Sequence, residues 1–141
     1  MQKQSFYVVA MAQILAAAVF LWIIFFRAGE WDMQRYAGAA LTLIGITGIA
    51  TARFQLGRSF AIKPEARQLV TRGLYSKIRN PIYVFGALLI SGVVLLLHRP
   101  RLWLLVIAVV IMQIVRAHQE ARILETAFGE SYREYRRKTW F

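Results

Sequence analysis

An arginine and a glutamate four residues apart could do chemistry near the end of a long helical pattern. Arg116 and Glu120 are separated by one helical turn and therefore share a face. A guanidinium can bind a carboxylate through two parallel hydrogen bonds, and a carboxylate can accept hydrogen bonds or balance positive charge. The alternative is a surface ion pair, but helices favour that pair with the acid first, and here the base comes first. The order therefore favours a binding role.

A second group of such residues surrounds the dipeptide Asn80–Pro81. Asn80 can cap a helix and Pro81 suits the first helical position, so a helix should begin here. The free backbone N–H groups at its start could bind an anion. Tyr75 and Tyr83 lie on either side, and their ring faces could attract a cation. Capping alone would explain Asn80 and Pro81, and interfacial anchoring would equally explain the tyrosines.

These residues lie in or beside a basic segment, residues 53–80, that separates long apolar blocks. Structureless connections of this length are uncommon in compact proteins. Large apolar residues are interleaved with the charges, which gives the segment something to bury. We therefore predict a folded cytosolic cap over a site at the membrane surface. Against the single acid Glu65, the basic residues are Arg53, Arg58, Lys63, Arg67, Arg72, Lys77 and Arg79.

The apolar blocks predict an all-α integral membrane protein built as one domain. Hydrophobic residues make up 58% of the 141 residues. The expected transmembrane helices are four, at about 6–26, 36–52, 81–97 and 102–115, since about 20 apolar residues cross a bilayer. The fourth block is short, but no helix breaker precedes Gly129. We expect one helix over 102–128 whose last turns leave the membrane.

The C-terminal helical region, residues 116–138, should end in a short amphipathic helix. Gly129 suits the residue that follows a helix. Ser131 and Glu134 have capping-box spacing for a new helix, which should lie on the lipid headgroups.

Charge predicts the orientation. Four crossings place both termini and the cap on one side, and the excess of Lys and Arg there makes that side cytoplasmic. The net charge of +11 then reflects topology and anionic lipids rather than nucleic-acid binding.

Several kinds of site are excluded or disfavoured by composition. The absence of Cys excludes thiol catalysis, disulfides and thiolate metal sites. The two histidines, His98 and His118, lie far apart without acidic residues at ligand spacing, so we expect no metal. A small-residue face at Gly38, Thr42, Gly45 and Ala52 predicts close helix packing, within one chain or across a homodimer.

Two segments, taken together, resemble one enzyme family. They are GLYSKIRNPIYVFG, residues 73–86, and RAHQEARILETAFGESYREY, residues 116–135. In this order, with a helical hairpin between them, they resemble the isoprenylcysteine carboxyl methyltransferase and phospholipid methyltransferase family of small membrane enzymes. The likeness runs from Leu56 to Tyr135.

The resemblance implies S-adenosylmethionine as methyl donor, bound outside any Rossmann domain, with S-adenosylhomocysteine as product. It implies that Arg116 is the catalytic-site residue that binds the acceptor. The cofactor-binding residues that it implies are Arg67, Gln68, Leu69, Val70, Tyr75, Asn80, Pro81, Ile82, Tyr83 and Glu120. The sequence departs from the family at Asn80, where the family has His, and at Ala121, where it has a second Glu.

The favoured acceptor is a lipophilic carboxylate of the isoprenylcysteine type that enters from the bilayer, because an ionised carboxylate needs no general base. A phospholipid amine or another small lipophilic nucleophile is the alternative, and an ammonium must first lose a proton. A four-helix transporter and a non-catalytic membrane adaptor are the competing classes. The transporter is disfavoured because the first three apolar blocks contain no ionisable residue of the kind that couples transport.

Overall fold

A computed structural model describes residues 30–56 and 69–141, together with Ala18, Leu21, Trp22, Phe25 and Phe26. In this part of the chain the architecture is all-helical, as predicted, and an isolated bridge between Ile78 and Trp140 is its one β-type pairing. Short 3-10 turns occur at Gly73–Ser76 and Pro100–Leu102. The helices are α1 (Met33–Leu56), α2 (Pro81–Leu97), α3 (Trp103–Phe128) and α4 (Glu130–Lys138).

Two of the described helical segments are long and apolar enough to cross a membrane. They are α1 and the stretch Pro100–Phe128, which includes α3, whereas α2 is apolar but shorter. The span predicted at 81–97 coincides with α2, and the single long helix predicted over 102–128 is confirmed within one residue. Most of the span predicted at 6–26 lies outside the described residues.

Helix α1 continues past the predicted boundary between the second span and the cap. It includes 53–56, so the first four residues of the predicted cap are helical. The reason is that Arg, Phe, Gln and Leu all tolerate a helix, and the first breaker after the span is Gly57.

Helices α1 and α2 pack closely because their facing residues are small. The predicted face of α1, with Gly38, Thr42, Gly45 and Ala52, is buried. A Cβ atom added at Gly45 would lie only 2.6 Å from the backbone nitrogen of Leu89 in α2. The small-residue face therefore packs against α2 of the same chain.

We expect Gly45→Ala to lower the free energy of unfolding by about 1–3 kcal/mol, since the new methyl group meets backbone that cannot rotate away. Thermal unfolding in detergent measures the loss. Gly86→Ala is the matched control, because its Cβ would meet only the side-chain amide of Gln113, at 3.2 Å. Equal stability of the two variants would contradict the close packing.

The ends of α1 and α2 opposite the cap are joined by an exposed ion pair. The Nε2 of His98 lies 3.0 Å from Oδ2 of Asp32, and Oδ1 of Asp32 accepts a hydrogen bond from the Arg35 N–H at the start of α1. The hydrogen bond with Asp32 raises the pKa of His98, and the same bond lowers the pKa of Asp32. This contact links the helix termini far from the predicted site.

Helix α4 is amphipathic, as predicted, but it does not begin where the sequence predicted. It begins at Glu130 directly after Gly129, without a side-chain cap, so the capping box of Ser131 and Glu134 is wrong. Gly129 adopts a φ of 51°, which glycine tolerates without strain, and it both ends α3 and precedes α4, so no residue is left between the helices for a separate cap. Glu134 pairs instead with Lys138 at 2.6 Å.

Candidate functional site

Tyr83 and Glu120 meet across the hairpin formed by α2 and α3. The hydroxyl of Tyr83, in the first turn of α2, donates a hydrogen bond to Oε1 of Glu120. Both side chains are half-buried. The hairpin brings together two predicted site residues that lie 37 positions apart in the sequence.

Tyr75 is held in place by contacts from two other elements. It lies in the 3-10 turn Gly73–Ser76 and is 7% exposed. Its carbonyl accepts a 2.7 Å hydrogen bond from the Tyr135 hydroxyl of α4. The neighbouring Leu74 N–H donates to Oε1 of Gln55, at the end of α1, also at 2.7 Å. The turn therefore ties α1 to α4.

The phenols of Tyr75 and Tyr135 stay protonated over the neutral range. Burial raises the pKa of Tyr75 to about 12, with smaller contributions from Tyr135 and from Glu120, so Tyr75 lies within the electrostatic field of the glutamate. Burial also raises the pKa of Tyr135 to about 12.

We expect the protein to lose stability as the pH rises from about 10 to 12. The folded state keeps the protons of Tyr75 and Tyr135 where an unfolded chain, with a tyrosine pKa near 10.0, has released them. Each phenol then contributes on the order of 2–3 kcal/mol that is present below about pH 10 and lost above it. Chemical unfolding followed across this range measures the slope, which Tyr135→Phe should reduce. A flat profile would contradict the burial of these phenols.

The start of α2 is capped by main chain rather than by a side chain. Asn80 occupies the N-cap position, but its side chain makes no capping hydrogen bond, so that prediction is wrong. Instead the Asn80 N–H donates to the Phe141 carbonyl, and the Arg79 N–H donates to the Trp140 carbonyl, both at 2.9 Å. Pro81 is the first residue of α2, as predicted, and is fully buried. The Asn80 N–H, one of the backbone donors at the predicted anion site, is therefore already hydrogen-bonded.

Arg116 is exposed and lies one turn before Glu120 on α3. In the described part of the chain it forms no ion pair with Glu120, which bonds to Tyr83 instead. Its guanidinium still interacts electrostatically with the Tyr83 hydroxyl. The surface-pair alternative for Arg116 and Glu120 is therefore not what the structure contains.

The other predicted cofactor residues are less closely placed. Arg67 and Gln68 lie outside the described residues. Leu69 and Val70 are half-buried in non-helical chain before the 3-10 turn, and neither hydrogen-bonds to another described site residue. Ile82 is half-buried in the first turn of α2, beside Tyr83.

An apolar groove of about 330 Å³ lies between α2 and α3 and has Tyr83 in its lining. Trp140 and Phe141 contribute aromatic rings to it, and most of the remaining lining is aliphatic. The adjoining surface of α3 exposes apolar side chains such as Leu104 and Ile111. The groove is lined by Tyr83, Val84, Ala87, Leu88, Ser91, Val110, Gln113, Ile114, Trp140 and Phe141.

Two residues near this site escaped the predictions from sequence. Tyr132 was expected on a helix at the headgroups, yet it is fully buried, and its hydroxyl has no hydrogen-bond partner. The Nε of Arg79 is likewise buried and unpartnered. The available signal was the three-residue spacing of Tyr132 and Tyr135 on an otherwise charged helix, which marks one buried face. Among the described residues no cluster of three or more His, Asp or Glu could hold a metal ion.

Comparison with known families finds one match. The family described as phospholipid methyltransferase matches residues 33–131, well over half of the chain, and this range includes Tyr75, Tyr83, Arg116 and Glu120. No curated protein and no solved structure matches.

Proposed function

Because the chain belongs to the phospholipid methyltransferase family of membrane methyltransferases, which also includes the isoprenylcysteine carboxyl enzymes, we propose that it methylates a lipophilic acceptor with S-adenosylmethionine. The observation that carries the proposal is the hydrogen bond between Tyr83 and Glu120 beside an apolar groove. A carboxylate fixed at such a place can bind a polar, positively charged donor while the groove receives an apolar acceptor.

The proposal includes four membrane crossings with both termini and the donor site in the cytoplasm. Helices α1 and α3 have the length for a crossing. Helix α2, with 17 residues, extends about 26 Å, and a bilayer can thin locally around a helix of this length. The excess of Lys and Arg on the proposed cytoplasmic side supports this orientation.

The described residues suit the chemistry of the methyl donor. When bound, S-adenosylmethionine supplies an electrophilic methyl group on a positively charged sulfur. Tyr75 and Tyr83 offer aromatic rings, whose faces attract cations. Glu120 offers a carboxylate, and only its Oε1 is used by a hydrogen bond in the described chain. The Nε of Arg79 and the hydroxyl of Tyr132 are buried hydrogen-bond donors without partners. The described residues thus include both a negatively charged acceptor and hydrogen-bond donors.

Within this set, Glu120 is proposed to bind the donor, and Tyr83 to hold Glu120 in position. The site needs to supply alignment, exclusion of water and charge placement, because transfer from a sulfonium is a direct displacement. The predicted loop of Arg67, Gln68, Leu69 and Val70 and the segment Asn80–Ile82 remain proposed cofactor contacts.

The favoured acceptor is a lipophilic carboxylate of the isoprenylcysteine type. Arg116 is exposed, makes no ion pair within the described chain and lies near Tyr83, so it can bind an anionic acceptor. The groove would receive the apolar part of the same molecule from the bilayer.

A phospholipid amine is the second candidate, and it is favoured by the family that the chain matches and by the negative charge of Glu120 near the groove. An ammonium acceptor must lose its proton before attack, so the rate would rise with pH through the neutral range. A carboxylate acceptor would show no such rise. The pH profile of the rate therefore separates the two.

The test uses the full chain in lipid nanodiscs with methyl-labelled S-adenosylmethionine. Prenylcysteine acids, aminophospholipids and lipophilic thiols are offered separately, and the product that carries the label is identified. We expect a labelled prenylcysteine ester. Folded protein that binds no S-adenosylmethionine by calorimetry would overturn the proposal, and substrate flux into proteoliposomes without any methyl donor would support a transporter instead.

A further inference from the structure

The hydrogen-bonding side chains of the α2–α3 hairpin collect at the apolar groove. In α2 only Tyr83 and Ser91 carry a side-chain oxygen or nitrogen, and both line the groove. In the apolar part of α3, residues 104–115, the one such residue is Gln113, and it lines the groove as well. This arrangement is typical of a ligand site in which a few polar groups orient a mostly apolar molecule.

The amide of Gln113 is available to such a molecule. The residue is half-buried, and within the described chain its amide makes no hydrogen bond. A polar group among apolar side chains costs free energy unless it is hydrogen-bonded. By contrast, the hydroxyls of Thr42 and Thr47 in α1 donate to carbonyl oxygens of their own helix, at 2.7 and 2.8 Å. Gln113 therefore keeps N–H donors and an acceptor oxygen for a bound molecule.

Gly86 gives this amide room near the reacting end of the groove. A Cβ atom added at Gly86 would lie 3.2 Å from Nε2 of Gln113, so the amide is close to the backbone of α2. Gly86 follows Tyr83 by three residues, a rise of about 4.5 Å along the helix. The amide therefore lies roughly one turn along α2 from the level of the bond between Tyr83 and Glu120.

Along α3 the side chains of the site follow one another on one face. Gln113, Arg116 and Glu120 are spaced by three and four residues, which places them on the same side of the helix. Under the proposed function, Glu120 binds the methyl donor and Arg116 binds the carboxylate of the acceptor. Gln113 is the next position towards the groove, and Val110, one turn further, is an aliphatic part of the lining. The order is thus a cation, a neutral amide and then apolar surface.

An acceptor with the matching order has a carboxylate, then a carbonyl group, then an apolar chain. In an N-acylated prenylcysteine a single carbon separates the carboxylate from the amide, which suits two side chains one turn apart. In a glycerophospholipid the whole headgroup separates the amine from the ester carbonyls. Resting on the proposed function, we infer that Gln113 donates a hydrogen bond to an amide carbonyl beside the carboxylate of the acceptor, and that it thereby selects acylated prenylcysteines.

The experiment compares two acceptors that differ at this group. N-acetyl-S-farnesylcysteine and S-farnesylthiopropionic acid share the carboxylate, the thioether and the prenyl chain, but only the first carries an amide. With the full chain in lipid nanodiscs, kcat/KM should be about 5- to 10-fold higher for the first, the effect of one neutral hydrogen bond. Gln113→Met keeps the length of the side chain and should remove this preference. Met112→Leu, at an exposed position outside the groove lining, is the control and should keep it.

Two further measurements separate acceptor recognition from folding. Gln113→Met removes an unpartnered amide from apolar surroundings, so the melting temperature without ligand should stay equal or rise. Affinity for S-adenosylhomocysteine, measured by calorimetry, should change less than about 2-fold, because the bond between Tyr83 and Glu120 is left intact. Equal losses of kcat/KM for both acceptors, together with a lower melting temperature, would assign Gln113 a structural role and overturn the inference.

The remaining outcomes also decide. A preference for the amide that persisted in Gln113→Met, or that was absent from the unaltered chain, would overturn the inference while leaving the proposed function standing. Methylation of aminophospholipids alone would overturn it too. In that case, loss in Gln113→Met of a preference for a diacyl lipid over its dialkyl ether would assign the amide to an ester carbonyl. Failure of the folded, unaltered chain to bind S-adenosylhomocysteine would overturn the proposed function itself.

Discussion

Glu120→Gln should lower the affinity for S-adenosylhomocysteine by about 10- to 100-fold and reduce methyl transfer at least as much. The substitution keeps the size of the side chain but removes the negative charge. In the structure Glu120 is half-buried and accepts a hydrogen bond from the Tyr83 hydroxyl. A water molecule therefore cannot fully take the place of the lost negative charge. Calorimetry with the full chain measures the affinity, and the labelled assay measures transfer.

Tyr83→Phe should act in the same direction with a smaller effect, about 5- to 10-fold on donor affinity, because Glu120 keeps its charge but loses the bond that orients it. Glu134→Gln is the control, since Glu134 lies on the exposed face of α4 and pairs with Lys138. If Glu120→Gln bound the donor as tightly as Glu134→Gln, Glu120 would have no role in the donor site.

Arg116→Gln should raise the KM for a prenylcysteine acid by about 10- to 100-fold while leaving the affinity for S-adenosylhomocysteine within about 2-fold. The guanidinium is exposed and forms no ion pair with its neighbour Glu120, so its removal leaves no buried charge behind. The loss should therefore appear in acceptor binding alone. Arg116→Lys should recover part of it, because lysine restores the charge without the two-pronged geometry.

Arg122→Gln is the matched control for Arg116, because it removes an exposed charge from the same helix. The opposite outcome at Arg116 has a specific meaning. If Arg116→Gln improved the use of an aminophospholipid and the rate climbed with pH, the acceptor would be an amine, which a positive side chain repels. No change with any acceptor would remove Arg116 from the site.

The main helices could be predicted from local sequence patterns. Blocks of apolar residues predicted the course of α1, α2 and α3, and Pro81 and Gly129 marked helix boundaries. The small-residue face of α1 predicted close packing correctly. The capping box at Ser131 was wrong, because α4 begins one residue earlier, directly after Gly129 with its positive φ.

What the sequence by itself determined is the helical membrane class, the family and the presence of Tyr83 and Glu120 as candidates. Helical periodicity and short motifs carry that information because they depend on neighbours within a few residues. Only the tertiary structure decided that Tyr83 bonds to Glu120 and that the Asn80 N–H, at the start of α2, donates to the Phe141 carbonyl. It also decided that Tyr132 is buried and that its hydroxyl has no hydrogen-bond partner. The two hydrogen bonds join residues tens of positions apart, and the burial of Tyr132 needs the other elements around it. All three therefore depend on how the helices pack against one another rather than on local sequence pattern.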